Sequence, residues 1–304
     1  MKDFRISKIN INNTIYDLHT IKFLNLYDLY NYLKTNMYTN NIFTNLYSKN
    51  ASVRTHGKVY EEALKDLISI NDSEYTNIVR ILENTNNSIV VDNSYRVINK
   101  VCGGKINVRS YVTGNPLCYE VIEQNEEKHI KLYVSLSYNI LTTNKQLINR
   151  ALIITSLVNE LENRGYRVDL DTFLLSRTDN ELIYIDVKLK DESTNLTTSS
   201  LYNSLCKYEF LRRILLRVIE TSKVKNSKWN TTYGDVCDED FTKQVLCFDE
   251  KDIYFGEPKM LGIKGSSLLD DFNNLNNTVN LKDLIDINNT RENIKSLEIK
   301  LKNR

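Results

Sequence analysis

The sequence predicts an α/β fold, in which helices flank a β-sheet and a small α+β region precedes it. An apolar strand, IKLYVSLSYN, begins at residue 130. A long helix with apolar side chains at helical spacing follows this strand. Two further strands come next, and the short loop at residues 177–180 between them is typical of a hairpin.

These elements predict a specific strand arrangement. We expect residues 130–137 to form a central strand that runs parallel to residues 167–175, because the helix between them is long enough for a right-handed crossover. Residues 181–190 are expected to run antiparallel, at or near an edge of the sheet. Residues 252–256 predict a last buried strand.

Shorter elements precede the sheet. Residues 4–23 predict strands around a turn at Asn12 and Asn13, and residues 26–33 predict a short amphipathic helix. Gly57 introduces a helix over VYEEALKDLISI, and a second helix starts at Ser73. These two helices are expected to form a hairpin.

The chain divides into three predicted regions. Residues 1–94 form an N-terminal α+β region, residues 95–258 the α/β domain, and residues 259–304 a polar helical arm. The α/β domain starts with a segment that Gly103, Gly104, Gly114 and Pro116 mark as a run of turns. It also includes two helices at 199–222.

Composition narrows the possible classes of function. The chain has 304 residues with 40 basic and 39 acidic side chains, so its total charge does not suggest a protein that coats nucleic acid or a membrane surface. The five cysteines form no Cys-x-x-Cys pair, which predicts free thiols in a reducing compartment. No run resembles a signal peptide or a membrane span, so we expect an intracellular protein without membrane contact.

The order strand, helix, strand, antiparallel strand, helix resembles the first half of a von Willebrand factor A domain. There an Asp-x-Ser-x-Ser loop after the first strand binds Mg²⁺. The matching residues are Ser135, Ser137 and Asn139, which alternate at the carboxyl end of the first strand. The resemblance implies a ligand-binding edge with a degenerate metal site. We expect no bound metal, because Asp235 or Asp238 would have to supply the missing carboxylate.

These small polar side chains have a second interpretation, namely that they cap the following turn and hydrogen-bond the loop.

A closer resemblance is to an uncharacterised family of bacteriophage-encoded proteins with a degenerate domain of this type. The shared phrases are VYEEALKDL at 59–67, GGKINVRSYVTGNP at 103–116, NRALIITSLVNELENRGYRVDL at 149–170, VKLKDE at 187–192, YEFLRRILLRVIE at 208–220 and the weaker WNTTYGDV at 229–236. The resemblance implies a viral protein in the cytoplasm of the host cell, and it does not exclude that the protein is a component of the virion. It implies no activity.

An enzyme is the alternative. Restriction-endonuclease-like nucleases combine a helical Glu, an Asp and an Asp/Glu-x-Lys strand to hold Mg²⁺ and direct a water molecule at a phosphodiester. The candidates here are Glu160 or Glu162, Asp169 or Asp171, and Asp186 with Lys188. Alternation along the strand places Asp186 and Lys188 on one face. The solvated outward face of an edge strand would explain the same two residues without catalysis.

The sequence therefore favours a non-catalytic binding or assembly module over a Mg²⁺-dependent nuclease built on Glu160, Asp169, Asp186 and Lys188. Its expected partner is either another protein or a second copy of the same chain. We expect no cofactor, and only the nuclease interpretation requires Mg²⁺. Nucleic acid stays open as a partner, because a small patch combines basic and aromatic side chains, although a solvated loop is the favoured explanation of this patch. The patch consists of Lys223, Lys225, Lys228, Trp229 and Tyr233.

Overall fold

A computed structural model shows a mixed α/β fold with one large sheet and one small one. It describes residues 3–35, 58–68, 95–124, 128–138, 142–222, 235–248 and 252–256. Four sequence predictions lie outside these residues: the helix starting at Ser73, the position of Asn139, the basic and aromatic patch, and the C-terminal arm.

Within the described residues, the large sheet has seven strands, namely β1 (Asp3–Ile11), β2 (Thr14–Phe23), β6 (Lys128–Ser135), β7 (Tyr166–Arg177), β8 (Glu181–Lys190), β9 (Asp235–Val236) and β10 (Ile253–Phe255). Their spatial order is β1-β2-β8-β7-β6-β10, and β9 pairs with β7. A separate sheet has the order β3-β5-β4 and consists of β3 (Tyr95–Lys100), β4 (Lys105–Ile106) and β5 (Tyr119–Gln124).

Helices pack against both faces of the large sheet. They are α1 (Leu26–Thr35), α2 (Tyr60–Asp66), α3 (Val108–Val112), α4 (Asn144–Asn163), α5 (Thr198–Leu205), a π-helical segment (Phe210–Leu215) that continues as α6 (Leu216–Thr221), and α7 (Glu239–Leu246). Helix α3 belongs to the small-sheet region.

The sheet confirms part of the predicted strand arrangement. Strand β6 is an inner strand between β7 and β10, although it lies second from one end of the sheet and not at its centre. Strands β6 and β7 are parallel, with Ile130 opposite Val168, and β7 and β8 form the antiparallel hairpin. Strand β10 lies parallel to β6, as residues 252–256 predicted. The β1–β2 hairpin turns at Asn12 and Asn13, whose positive φ angles of 50° and 64° are those of a tight hairpin turn.

Strand β8 is not at or near an edge, which corrects the sequence prediction. Strand β2 pairs with β8 in parallel, and β1 lies beyond β2. Residues 182–187 of β8 are all buried, as is typical of a strand covered on both sides. The predicted boundary at residue 94 thus falls between two parts of a single sheet.

The two faces of the sheet bury different clusters. The face that we call the α4 face carries Val168, Leu170, Ile183, Ile185 and Val187, which pack in one apolar cluster with α1, α4 and the helices of 198–221. The opposite face, the α7 face, carries Phe173, Leu175, Leu182 and Tyr184, which pack in a second cluster with Phe241 of α7. Residues that alternate along β7 and β8 therefore belong to different layers.

Helix α4 follows the predicted pattern. Thr143 and Gln146 form a capping box at its N-terminus, and Gly165, with φ of 82°, lies just beyond its end. The predicted apolar stripe is buried against the sheet, and it consists of Leu147, Ala151, Ile154, Val158 and Leu161. This buried face packs the connection between the parallel strands β6 and β7 into the apolar cluster of the α4 face.

The predicted helical region at 199–222 contains a π-helical segment that the sequence did not indicate. Arg213 and Arg217 are fully buried there, although arginine is rarely buried without partners. Arg213 Nε donates a hydrogen bond of 2.9 Å to the Lys58 carbonyl oxygen, which attaches the start of α2 to this segment. Buried arginines therefore link two elements distant in sequence.

Candidate metal and phosphate site

A cluster of charged side chains lies on the α7 face at the centre of the large sheet. Strand β7 contributes Asp171, and β8 contributes Asp186 and Lys188. In the register of this hairpin, Asp171 lies opposite Lys188, and Asp186 lies opposite Phe173. Lys131 of β6 and Lys22 of β2 reach the cluster from the two flanking strands. Strand alternation thus confirms that Asp186 and Lys188 share one face.

The two carboxylates are almost completely inaccessible to solvent. Asp171 is 1% exposed and Asp186 is 6% exposed. Lys131 Nζ lies 2.9 Å from Asp171 Oδ2, and Lys22 Nζ lies 3.6 Å from Asp186 Oδ2. Both Oδ1 atoms are buried, and neither has a hydrogen-bond partner among the residues that the structure describes. Such atoms lose their hydration without compensation, which is costly for an anion.

Lysine side chains form the accessible border of the cluster. The side chains of Lys131, Lys188 and Lys22 are 30%, 29% and 49% exposed. Lys188 Nζ lies 3.3 Å from Asp169 Oδ2 and 3.5 Å from Asp191 Oδ2. The site therefore combines a buried negative centre with a positive, solvent-facing border.

The pKa values reflect this arrangement. Burial, followed by the charge of Asp171, raises the pKa of Asp186 to about 7, although Lys22 and Lys131 oppose the shift. Burial would lower the pKa of Lys131, but the adjacent Asp171 carboxylate raises it above the ordinary value. Burial would also lower the pKa of Lys188, but the charges of Asp171 and Asp169 raise it above the ordinary value. Both lysines are therefore positively charged at neutral pH.

An aromatic cluster borders the carboxylates on the same face. The Phe173 ring centroid lies 6.4 Å from that of Tyr133, 5.7 Å from Tyr184 and 6.1 Å from Tyr254. Phe248 packs on Tyr133 at 4.6 Å. These rings belong to the apolar cluster of the α7 face. Burial, with the charges of Asp186 and Asp171, accordingly raises the pKa of Tyr184 well above its usual value.

The structure does not bring the predicted helical glutamate to this cluster. Helix α4 packs on the opposite face, where Glu160 pairs with Arg164 at 3.0 Å and Glu162 pairs with Lys190 at 2.8 Å. Asp169 instead supports the loop after β8, because its Oδ1 accepts a hydrogen bond of 2.7 Å from the backbone N–H of Glu192. Asp171, the alternative to Asp169 in the sequence prediction, is the carboxylate whose charge acts on Asp186.

The residues of the predicted ligand-binding edge are placed as follows. Ser135 and Ser137 are both buried, and the Ser137 backbone N–H donates to Ser135 Oγ at 3.3 Å. A local hydrogen bond of this kind is what the capping interpretation predicts. Asp235 is exposed in β9, and the side chain of Asp238 caps α7 by accepting from the Phe241 N–H.

Two residues of the cluster, Lys22 and Lys131, were not identified from the sequence. Each lysine stands in a strand between two apolar residues, as in the sequences IKF and IKLYV. An isolated charge in such a strand is a signal of a buried partner. The partner itself comes from a different strand, so its identity is not contained in the local pattern.

The described residues include no group of three or more His, Cys, Asp or Glu side chains that could hold a metal ion. Two carboxylates do not conflict with a hard cation, because Mg²⁺ commonly takes one or two protein carboxylates and completes its octahedron with water and substrate oxygens. The oxygen-only donor set of Asp171 and Asp186 fits such a cation. Among the same described residues, no helix has the length and apolar character needed to cross a membrane.

The fold and the cluster define an α/β protein with a buried carboxylate pair inside a lysine border. The chain belongs to the family described as a domain of unknown function, DUF7192, which matches residues 10–268. No curated protein and no solved protein structure matches the chain.

Proposed function

We propose that this protein is a divalent-cation-dependent phosphodiesterase of the nuclease type, with its centre at Asp171, Asp186 and Lys188. One observation carries the proposal: on the face that also carries Lys188, both aspartates bury an Oδ1 atom that has no hydrogen-bond partner in the described part of the chain. The reason for preferring a solvated edge strand no longer applies, because β8 is interior and Asp186 is 6% exposed.

The residues divide the chemistry between them. The unpartnered oxygens of Asp171 and Asp186 supply two anionic ligands for Mg²⁺ or Mn²⁺. When bound, such a cation polarises a phosphoryl oxygen and lowers the pKa of a water molecule. Lys188 is protonated at neutral pH, so it serves as a fixed positive charge near the developing negative charge and not as a base.

The overall reaction is hydrolysis. A water oxygen forms a bond to phosphorus and loses a proton to solvent, while the bond from phosphorus to the leaving oxygen breaks and that oxygen takes up a proton. Substrate attraction follows from the border, where three partly exposed lysines surround the two carboxylates. Phosphate oxygens are the natural counter-ions of such a border.

The test uses the purified full chain, freed of metal by chelation, with labelled single-stranded and double-stranded DNA and RNA. We expect cleavage that requires added Mg²⁺ or Mn²⁺ and is reduced at least about a hundredfold in Asp186→Asn and in Asp171→Asn. The variant Glu160→Gln is the matched control, because it removes a carboxylate on the opposite face of the sheet, where Glu160 pairs with Arg164. Absence of cleavage and of metal binding in the wild type, or full activity in Asp186→Asn, would refute the proposal.

A binding or assembly module is the second candidate, and a surface outside the cluster favours it. The small-sheet region exposes Val101, Val108 and Val112 by 65%, 69% and 78%. Grouped exposed apolar residues often mark protein interfaces. The connectivity β6, α4, β7, β8, α5 supports the further proposal of a von Willebrand factor A-like domain with a degenerate site at Ser135 and Ser137.

Sedimentation measurements test the binding candidate as self-association. We expect the wild type to associate with rising concentration and Val112→Asp to stay monomeric, with Ile6→Asp, at an exposed position of β1, as control. A wild type that stays monomeric throughout would count against self-association through this surface.

A further inference from the structure

We infer that Lys131 and a divalent cation compete for the Asp171 carboxylate, and that the displaced ammonium group binds a non-bridging oxygen of the substrate phosphate. This inference rests on the proposed function and assigns Lys131 as the residue that links metal binding to substrate binding. Its place in strand β6, next to β7, positions it on the opposite side of the carboxylate pair from Lys22 of β2.

The contacts of Lys131 suit a group that exchanges between two partners. Its Nζ lies 2.9 Å from Asp171 Oδ2 and 4.6 Å from the Tyr133 ring centroid. The rest of the Asp171 side chain is enclosed, and the residue is 1% exposed. Lys131 therefore acts as the internal cation that neutralises Asp171 while no metal ion is bound.

A metal ion at Asp171 Oδ1 would lie close to the ammonium group that contacts Oδ2 of the same buried carboxylate, and the two cations would repel each other. The lysine stem is flexible and the Lys131 side chain is 30% exposed, so the ammonium group can turn outward. There it joins Lys188 at the border, where a phosphodiester approaching the carboxylate pair presents its charged oxygens. Binding of the metal ion thus prepares the site for an anionic substrate.

Lys22 makes a useful contrast. Its Nζ lies farther from its carboxylate, 3.6 Å from Asp186 Oδ2, and its side chain is 49% exposed. Solvent weakens this ion pair more than that of Lys131. Removal of the Lys22 charge should therefore change metal affinity less than removal of the Lys131 charge.

The experiment titrates Mn²⁺ into the full-length wild type, Lys131→Met, Lys131→Arg and Lys22→Met, with calorimetry as the readout and melting temperature as a check of folding. We expect Lys131→Met to bind Mn²⁺ about tenfold more tightly than the wild type, because the competing charge is gone. Lys131→Arg keeps the positive charge and can donate two hydrogen bonds to the Asp171 carboxylate. This variant should therefore bind Mn²⁺ more weakly than the wild type. Lys22→Met should stay within about threefold of the wild type.

A second readout addresses the substrate. At saturating Mn²⁺, Lys131→Met should raise KM for a phosphodiester substrate at least about fivefold while kcat changes less. Equal Mn²⁺ affinity, or weaker binding, in a folded Lys131→Met would overturn the inference and leave the proposed metal site intact. Mn²⁺ binding by Lys131→Met and not by the wild type would support it, whereas Mn²⁺ binding by none of the four proteins would remove both the site and the inference.

Discussion

Asp171 and Asp186 lie on adjacent antiparallel strands with their side chains on the same face, and each has a buried Oδ1 atom for which the described residues supply no hydrogen-bond partner. Repulsion between two buried carboxylates destabilises a fold unless a cation or a proton lies between them. Lys131 and Lys22 supply part of that compensation through the Oδ2 atoms. The incomplete balance is typical of a functional site that trades stability for binding.

Neutralising Asp186 should stabilise the protein at high pH. The pKa of Asp186 is raised from 3.8 to about 7 in the folded chain, so ionisation of this group disfavours folding. The destabilisation is absent below the unfolded pKa, grows as pH rises and is complete above about 7. We expect Asp186→Asn to raise the free energy of unfolding at pH 8 by at least about 2 kcal/mol, since one pKa unit corresponds to about 1.4 kcal/mol.

Chemical denaturation from pH 4 to pH 8 checks this expectation. The gain should shrink steadily below pH 7 and nearly disappear at pH 4. The control is Asp169→Asn, which should give no gain at any pH because Asp169 already has partners in Lys188 and the Glu192 N–H. A gain of the same size at pH 4 and pH 8 would contradict the assigned cause.

Lys190 should contribute more to stability than an exposed lysine. Its Nζ lies 2.8 Å from Glu162 Oε1 and donates to the Val168 carbonyl oxygen at 2.9 Å, and its side chain is fully buried. Lys190→Met should lower the free energy of unfolding by about 3 kcal/mol, because a buried carbonyl and a partly buried carboxylate lose their partner.

The matched control for Lys190 is Lys243→Met on α7. Lys243 pairs with Glu239 at 2.8 Å, but both side chains are at least 40% exposed. This substitution should cost less than about 0.5 kcal/mol. Similar losses in the two methionine variants, measured by urea unfolding, would show that burial of Lys190 is not the cause.

Gly104 and Gly103 offer a paired test of the small-sheet region. Both have positive φ, 82° and 85°, so alanine is strained at either position. A Cβ at Gly104 would overlap the Glu120 carbonyl oxygen, whereas none of the described atoms lies within 4 Å of a Cβ at Gly103. We expect trypsin to cleave within residues 100–117 several times faster in Gly104→Ala than in Gly103→Ala, because the contact opens the β4–β5 pairing. Equal cleavage rates would argue against the close approach.

The capping box of α4 predicts the effect of changes at Thr143. Its hydroxyl accepts from the Gln146 N–H at 3.3 Å, and the Gln146 side chain accepts from the Thr143 N–H at 2.7 Å. Thr143→Ala should cost about 1 kcal/mol of stability, while Thr143→Ser should be close to neutral because it keeps the oxygen. Urea unfolding of both variants measures the difference, and an equal loss in the two would exclude capping as its source.

Local patterns were enough to predict most of the elements. The apolar alternation of β1 and β2, the apolar runs of β7 and β8 and the helical stripe of α4 are encoded in neighbouring residues, as are the turns at Asn12 and Gly165. Periodicity also predicted that Asp186 and Lys188 share a face, because side chains in any strand alternate. The same rule cannot predict the π-helical segment at Phe210–Leu215, where Arg213 reaches a carbonyl of residue 58.

By itself, the sequence determined that this chain is a mixed α/β protein and that Asp186 and Lys188 share one face of β8. Only the tertiary structure decided that β2 pairs with β8 and that Glu160 lies on the other face of the sheet. It also decided that Asp171, and not Asp169, is the buried carboxylate whose charge acts on Asp186. Periodicity is a property of consecutive residues. The burial of a carboxylate depends on which distant strand pairs beside it, and here Lys22 and Asp186 are brought together from opposite halves of the chain.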